Sequence, residues 1–356
     1  MIIKNRNGQF SQFISMLNNR LPKVRGTKKV LANNQLLIST GLPSLDTIIG
    51  GGIPVGSIFL LEEDEFGAFS QIILKHYLAE GVLSDHTLVF ASPELEVKKF
   101  ISKLPAPVTE SQTVDTEDDL PMSGELKIAW RYRDQTQESS EPGATLFGHT
   151  YDLTKRFDKS VLDKIHLNSW VNSEEKCAYD DLFNFLRDIV QDTKYSFNAP
   201  VENRTVLRIA LHLLGNMFWT GDFIKFLIKL RVLLRNTCST CFITVQPNLF
   251  EKKHELHRSE HLSDTVIRLQ SLLNDGNPLY SDYDGLLFLE KLPAINSWNC
   301  YIPESNDWAF KSKKRHFRIE KLHISPDIQE NTHRESEDVS KEYETQKIIA
   351  SVANQF

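Results

Sequence analysis

The chain has 356 residues, 40% of them hydrophobic and 25% charged, which is the composition of ordinary globular protein with room for one large or two small domains. A formal net charge of -6 excludes a uniformly basic nucleic-acid coat, so any contact with nucleic acid has to come from local patches. No apolar run reaches the roughly 18 to 20 residues of a membrane span.

Residues 1–35 read as a basic arm. No Asp or Glu occurs before Asp46, while Lys4, Arg6, Arg20, Lys23, Arg25, Lys28 and Lys29 precede it. Phe10, Phe13, Ile14 and Leu17 fall on one helical face. A docking helix followed by a basic linker is the favoured reading; a nucleic-acid arm and an organelle transit peptide compete with it. From residue 36 to 326 the pattern is α/β. Ser57–Leu61 reads as a buried strand. Residues 68–81 read as a helix ending at Gly81 as its C-cap. Thr87–Ala91 reads as the next strand, and the three together make a βαβ unit of a parallel sheet.

Residues 105–124 hold Pro105, Pro107, Pro121 and five acids, an acidic insertion expected to be disordered. Order is expected to resume at Leu126–Trp130, with a polar loop over 134–144. Helices follow at 178–191, 220–236 and 261–273. Thr205–Leu214, Phe242–Val245, Gly285–Leu289 and Phe317–Leu322 read as strands, the last two closing the sheet antiparallel. Residues 327–356 are polar and mixed in charge, and are expected to be a disordered tail. Four cysteines are present, with Cys238 and Cys241 at C-x-x-C spacing. No second pair or nearby His completes a zinc site, so a reduced intracellular chain with half-buried thiols is expected, and no metal.

The order Ser39-Thr-Gly-Leu-Pro-Ser-Leu-Asp46, then Gly50-Gly-Gly, then an apolar strand, a loop and a helix carries the chemistry. That order resembles the RecA-type ATPase core: a mostly parallel twisted sheet flanked by helices, with a P-loop after the strand. A working P-loop reads G-x-x-x-x-G-K-[ST], with Lys on the phosphates and a hydroxyl on magnesium. Here Glu62 stands at the first glycine and Gly67 at the second, while Ala68 replaces the lysine and Phe69 the hydroxyl. Glu62, Glu63, Asp64 and Glu65 fill the cradle. Two like charges about 4 Å apart cost roughly 4 kcal/mol at an effective dielectric near 20, half of a micromolar affinity of about 8 kcal/mol. The P-loop therefore reads as degenerate. The strand at Leu207–Leu214 ends without a carboxylate for magnesium, and Glu94, where a water-activating glutamate would lie, reads as a surface residue.

Six stretches in order extend the resemblance: Gln35-Leu-Leu-Ile-Ser-Thr-Gly41, Leu61-Glu-Glu-Asp64, Tyr77-Leu-Ala-Glu-Gly81, Leu126-Lys-Ile-Ala-Trp-Arg-Tyr132, His149-Thr-Tyr-Asp-Leu-Thr-Lys-Arg156 and the run Phe310 to His323. Over roughly residues 25–326 the chain resembles the PAXNEB family, the fourth subunit of the Elongator complex. The resemblance implies a non-catalytic subunit without a cofactor. It also implies a ring of six with two copies each of the fourth, fifth and sixth RecA-like subunits. That ring binds tRNA and joins the catalytic subunits that place carboxymethyl-type groups on wobble uridines. A link to transcription elongation and a cytoplasmic and nuclear setting, without membrane, go with it. Two further readings stay open: an active RecA-class ATPase with an atypical P-loop, and a stand-alone acidic adaptor.

Two surfaces are expected to meet partners. The acidic loop Glu62–Glu65 is expected to face a basic patch on a neighbouring subunit, or solvent. Lys311, Lys313, Lys314, Arg315 and Arg318, interleaved with His316 and Phe317, form the densest basic run and a candidate tRNA contact, against the alternative of a strand edge kept soluble by lysine. Arg131 and Arg133 beside Trp130 and Tyr132 are a second, weaker candidate.

Overall fold

A parallel sheet covered on both faces needs strands that are mostly apolar and buried throughout, and four segments of this chain are buried at every position. The computed structural model describes residues 24–30, 35–93, 96–108, 147–170, 177–197, 199–200, 204–250, 252–273, 275, 277–296 and 301–323. In chain order the strands are β1 Thr27–Val30, β2 Gln35–Ile38, β3 Ile53–Pro54, β4 Ile58–Glu62, β5 Thr87–Ala91, β6 Pro105–Pro107, β7 Tyr151–Arg156 and β8 Leu167–Trp170. They continue with β9 Cys177–Ala178, β10 Leu207–Leu214, β11 Trp219–Thr220, β12 Ser239–Val245, β13 Thr265–Ser271, β14 Gly285–Lys291, β15 Trp308–Ser312 and β16 Phe317–Lys321. The helices are α1 Pro43–Ile48, α2 Ala68–Leu83, α3 Val97–Ile101, α4 Lys159–Leu162, α5 Tyr179–Val190, α6 Phe223–Leu234 and α7 Lys253–Leu262.

Nine strands form the main sheet in the order β16-β15-β14-β13-β4-β12-β10-β5-β8. From β13 to β8 every pairing is parallel, and β14, β15 and β16 extend the β13 edge antiparallel. This is the mixed, mostly parallel α/β sheet expected, and it is compatible with a RecA-like core. The pleat sends alternate residues of β4 to opposite faces. Phe59 and Leu61 join the core under α2 and α1, and Ile58 and Leu60 join the one under α5 and α6. No helix among the described residues is long and apolar enough to cross a membrane.

The helix expected over 261–273 is a correction. Helix α7 stops at Leu262, and β13 follows as a strand between β4 and β14. Asp264 marks the break: its carboxylate accepts the Ile58 amide at 3.0 Å and meets Arg235 at 2.9 Å, which pins the chain beside the start of β4. Thr265, Val266 and Ile267 then supply β-branched residues suited to a strand. Strand β15 was also absent from the sequence reading.

Gly81 is a second correction. Helix α2 runs past it to Leu83, with Ser84 as its cap. Gly81 is needed for space: a Cβ there would lie 2.5 Å from Leu88 Cδ2 and 2.9 Å from Arg208 Cδ. The last part of the basic arm and the first part of the acidic segment hold strands, since β1 pairs with β2 and β6 pairs with β7. The expected docking helix at residues 10–17, most of the acidic insertion, Leu126–Trp130, the 134–144 loop and the tail lie outside the described residues.

Candidate functional site

Strand β4 delivers the acidic loop, and helix α2 leaves it. Gly67 makes the turn between them in the left-handed region, at φ 63°, which a side chain would disfavour. The first amides of a helix have no partner within it and attract an anion. Here the anion belongs to the chain. Asp64 Oδ1 accepts from the amides of Phe69 at 3.2 Å and Ser70 at 3.4 Å, and its backbone carbonyl accepts from Gly67 at 3.0 Å. Caps of this kind contribute about 1 kcal/mol.

Of the two readings left open for the acidic loop, a solvated surface describes only Glu65. Glu62, Glu63 and Asp64 are buried within the chain, and only Glu65 of the four acids is exposed. Glu63 packs against Gly67, where a Cβ would lie 2.8 Å from its Oε2. Its Oε1 is 3.7 Å from His212 Nε2, and His212 Nδ1 is 3.0 Å from Ser92 Oγ. Burial lowers the His212 pKa to about 4, so this imidazole is neutral at physiological pH. Glu62 stands across from Arg268 in the sheet register. Burial first, then the neighbouring Glu260, push its carboxyl up to about 7, while Arg268 pulls the other way. Ala68, at the lysine position, is exposed. Phe69, at the hydroxyl position, is a core residue, with ring centroids 4.8 Å from Phe310 and 6.5 Å from Phe317. Glu94 lies outside the described residues.

The basic run splits into two environments. Lys311 is half-buried, 2.6 Å from Glu320 and over the Tyr283 ring at 4.4 Å; the hydrogen bond to Glu320 raises its pKa. Lys313, Lys314, Arg315 and Arg318 are exposed on the turn between β15 and β16 and on β16. That turn is tied to β7, because the Leu153 amide donates to the Arg315 carbonyl at 2.9 Å. Arg131, Arg133, Trp130 and Tyr132 lie outside the described residues. Cys238 and Cys241 are fully buried rather than half-buried, and burial pushes the Cys238 thiol up to about 11.

Sequence reasoning missed a buried polar network around the 39–46 turn. Asp46 accepts from Ser39 Oγ at 2.5 Å, Thr40 N at 2.8 Å and Thr40 Oγ1 at 2.7 Å. Burial still raises its pKa to about 6. Glu80 accepts from Tyr151 Oη at 2.7 Å and from the His149 amide at 3.1 Å. Burial would raise Glu80, but His149, Arg208 and Tyr151 together hold it below the usual carboxylate range. Both partners stand in stretches that the sequence already singled out, Tyr77 to Gly81 and His149 to Arg156, which was the only available signal.

Comparison with known proteins gives one consistent answer. The family described as PAXNEB protein matches residues 20–351. "Elongator complex protein 4" of Xenopus laevis is 35% identical over 365 residues, covering 92% of this chain and 90% of that protein. The Mus musculus protein of the same name is 34% identical over 352 residues, covering 89% and 83%. The Saccharomyces cerevisiae protein of that name is 23% identical over 395 residues, covering 92% and 84%.

The buried carboxyl of Glu62 sets a pH dependence. Its ordinary pKa is 4.5 and its folded value is about 7. Between these, the folded chain keeps a proton that the unfolded chain has lost, so this group makes stability fall as pH rises through that window. Glu62→Gln should remove the loss. Its stability advantage over the parent, read from thermal melts, should grow between pH 5 and pH 8 by on the order of 1–3 kcal/mol. An advantage that stays constant with pH would contradict the assignment.

Proposed function

We propose, from the premise that this chain belongs to the PAXNEB family, that it is a non-catalytic subunit of the Elongator complex. The carrying observation is the Asp64 carboxylate on the amides that open α2. In a nucleotide-binding loop those amides hold phosphate. Here the site is filled from within, its flanks are the acids Glu62 and Glu63, and the lysine and hydroxyl positions are Ala68 and Phe69. The P-loop is degenerate in charge and retained in shape. Magnesium-ATP titrated into the isolated chain should give no saturable heat up to about 1 mM, an affinity of about 4 kcal/mol. A micromolar dissociation constant would restore the ATPase reading.

The subunit assembles with the fifth and sixth RecA-like subunits in a six-membered ring, through the carboxyl ends of its parallel strands. Large apolar side chains stand exposed there: Phe66 after β4 at 60%, Met217 after β10 at 79% and Leu249 after β12 at 42%. These three strands are neighbours in the sheet. Exposed apolar residues gathered at one edge mark a protein interface. Gln246 donates to the Glu65 carbonyl at 2.9 Å, joining the loops after β4 and β12. Replacing Phe66 and Met217 together by Asp should leave the monomer folded and abolish co-purification with the two partner subunits. Undiminished assembly, read by mass photometry, would place the seam elsewhere.

Within the assembled complex, the ring binds tRNA and supports wobble-uridine modification by the catalytic subunits, in cytoplasm and nucleus, with a link to transcription elongation. On this chain the tRNA contact is the exposed group Lys313, Lys314, Arg315 and Arg318. Lys311 contributes least because Glu320 already holds it. Changing the four exposed residues to Ser should weaken tRNA binding by the ring and reduce its salt slope by up to about 3.6, at roughly 0.9 per phosphate contact. Equal affinity and equal slope in the variant would refute the contact.

A further inference from the structure

A cavity of about 330 Å³ opens beside the basic turn. Its walls come from four separate parts of the chain: Gly41 and Ser44 of the turn before and into α1, His76 of α2, Tyr151 of β7, and Phe317 and Arg318 of β16. The Ile319 amide reaches Ser44 Oγ at 3.4 Å, which fixes β16 against α1. Gly41 has φ +83°, and a Cβ there would collide with the His76 carbonyl, so the turn can approach the helix only with glycine at that position.

The chemistry of the walls is specific. His76 is buried, and burial lowers its pKa to about 4, so the ring is neutral. Its Nδ1 donates to the Ile72 carbonyl at 2.8 Å, which leaves Nε2 as an acceptor. The Tyr151 ring stands edge-on to His76, with centroids 5.6 Å apart. Tyr151 Oη is itself used on Glu80, so what this residue adds to the cavity lining is aromatic carbon. One acceptor, aromatic surface and a guanidinium at the mouth suit a planar heterocycle with an N–H edge, carried on an anionic backbone.

A second observation points to the same backbone. At the far end of β7, Arg156 lies across from Pro105 in the sheet register, next to Lys103. Lys75 of α2 sits 5.5 Å from the Phe100 ring centroid on the adjoining helix. Burial, then Lys103 and Arg156, lower the Lys75 pKa, so Lys75 feels both of these cations. Among the described residues none of the three has an ion pair with a carboxylate. Strand β7 spans roughly 17 Å from Tyr151 to Arg156, at about 3.3 Å per residue.

We propose that single-stranded RNA lies along β7, with one unstacked base in the cavity between the Gly41–Ser44 turn and β16, and with backbone phosphates over Lys75, Lys103 and Arg156. This rests on the RNA-binding reading above and names the part of the RNA that is read: an unpaired base, since a duplex holds its bases stacked inside.

The test uses the full chain and a short single-stranded RNA carrying 2-aminopurine, whose fluorescence is quenched when the base stacks on an aromatic ring. Thr150 is exposed at the cavity wall, so Thr150→Phe fills the space without removing a side-chain bond; Pro43→Phe fills it from the α1 side. Each should lose the quenching and weaken single-strand binding about tenfold, with duplex binding unchanged. Changing Lys103 and Arg156 to Ser should lower the salt slope by roughly 1.4, two contacts at about 0.7 each, and keep the quenching at saturation. If both filled cavities bind and quench like the parent while the Lys313, Lys314, Arg315 and Arg318 variant still loses RNA, the base pocket is wrong and the RNA reading survives. If no RNA binds the parent chain, alone or assembled, both fall.

Discussion

The fold around the site depends on one buried cation. Arg208 sits in the middle of β10 with no solvent exposure, in a strand otherwise made of core residues. A guanidinium there costs several kcal/mol to desolvate unless its charge and donors are met. Its Nε donates to His86 Nδ1 at 3.0 Å, and Nη1 donates to the carbonyls of Ser39 at 2.9 Å and Tyr77 at 3.1 Å. The group lies 4.9 Å from the Tyr77 ring centroid, and Glu80, one turn of helix further, is the carboxylate whose ionised form it favours. Burial and the charge of Arg208 lower the His86 pKa to about 3, so His86 is a neutral acceptor and does not compete for the negative partner. One side chain thereby holds β10, α2 and the turn after β2 in a single arrangement. Gly81 belongs to the same constraint, because the arginine stem passes where its Cβ would be. Helix α2 carries the capped loop at its start and His76 at its middle, so its placement positions both the Asp64-capped amides and the cavity wall.

At the other end of that helix the chain has solved an electrostatic problem by substitution. A helix start attracts negative charge whether it comes from a ligand or from a side chain. Asp64 meets that demand permanently. Two more acids are then held in a region with little solvent, and each is met differently. Glu63 lies against Gly67 and near a neutral imidazole. Glu62 sits near a second carboxyl and a partial counter-charge, and its raised pKa is the consequence. An ATP phosphate entering here would have to displace a carboxylate from the amides and face the others. The loop keeps its shape because the turn, the cap and the Phe69 packing are independent of nucleotide. The loop's conformation therefore needs no bound ligand.

How much of this was legible in the sequence follows from the range of the interactions. Strand β5 matches its expected bounds, and α5, α6 and β10 match within a few residues, because local periodicity and propensity set them. Strand β13 was misread because its apolar residues suit a helix as well as a strand, and Asp264 acts through contacts with Ile58 and Arg235, far away in sequence. The missing lysine and the acid run were visible as composition. That the acids are buried, and that one of them caps the helix, was not, since a run of carboxylates reads as solvated surface. The sequence reading of Thr205–Leu214 as a strand gave Arg208 no role, because its partners are contributed by segments more than a hundred residues distant.

The basic run bears two readings of the same residues, and the proposed RNA contact asks more of the structure than the other does. An exposed edge strand such as β16 needs charge to discourage pairing with another chain, and lysines and arginines supply it whatever else they do. That role asks only for scattered charge along the edge. It does not require Lys311 to be neutralised by Glu320 while its four neighbours stay exposed. Nor does it call for a cavity beside the turn, or for a second cationic group at the far end of β7, on elements that are not that edge. The β7 strand connects these features, since its Leu153 amide is bonded to the turn at Arg315 and its Arg156 pairs with Pro105, two residues along the chain from Lys103. The proposed RNA, a polyanion with exposed aromatic bases, would account for all of them together, whereas edge protection accounts for one.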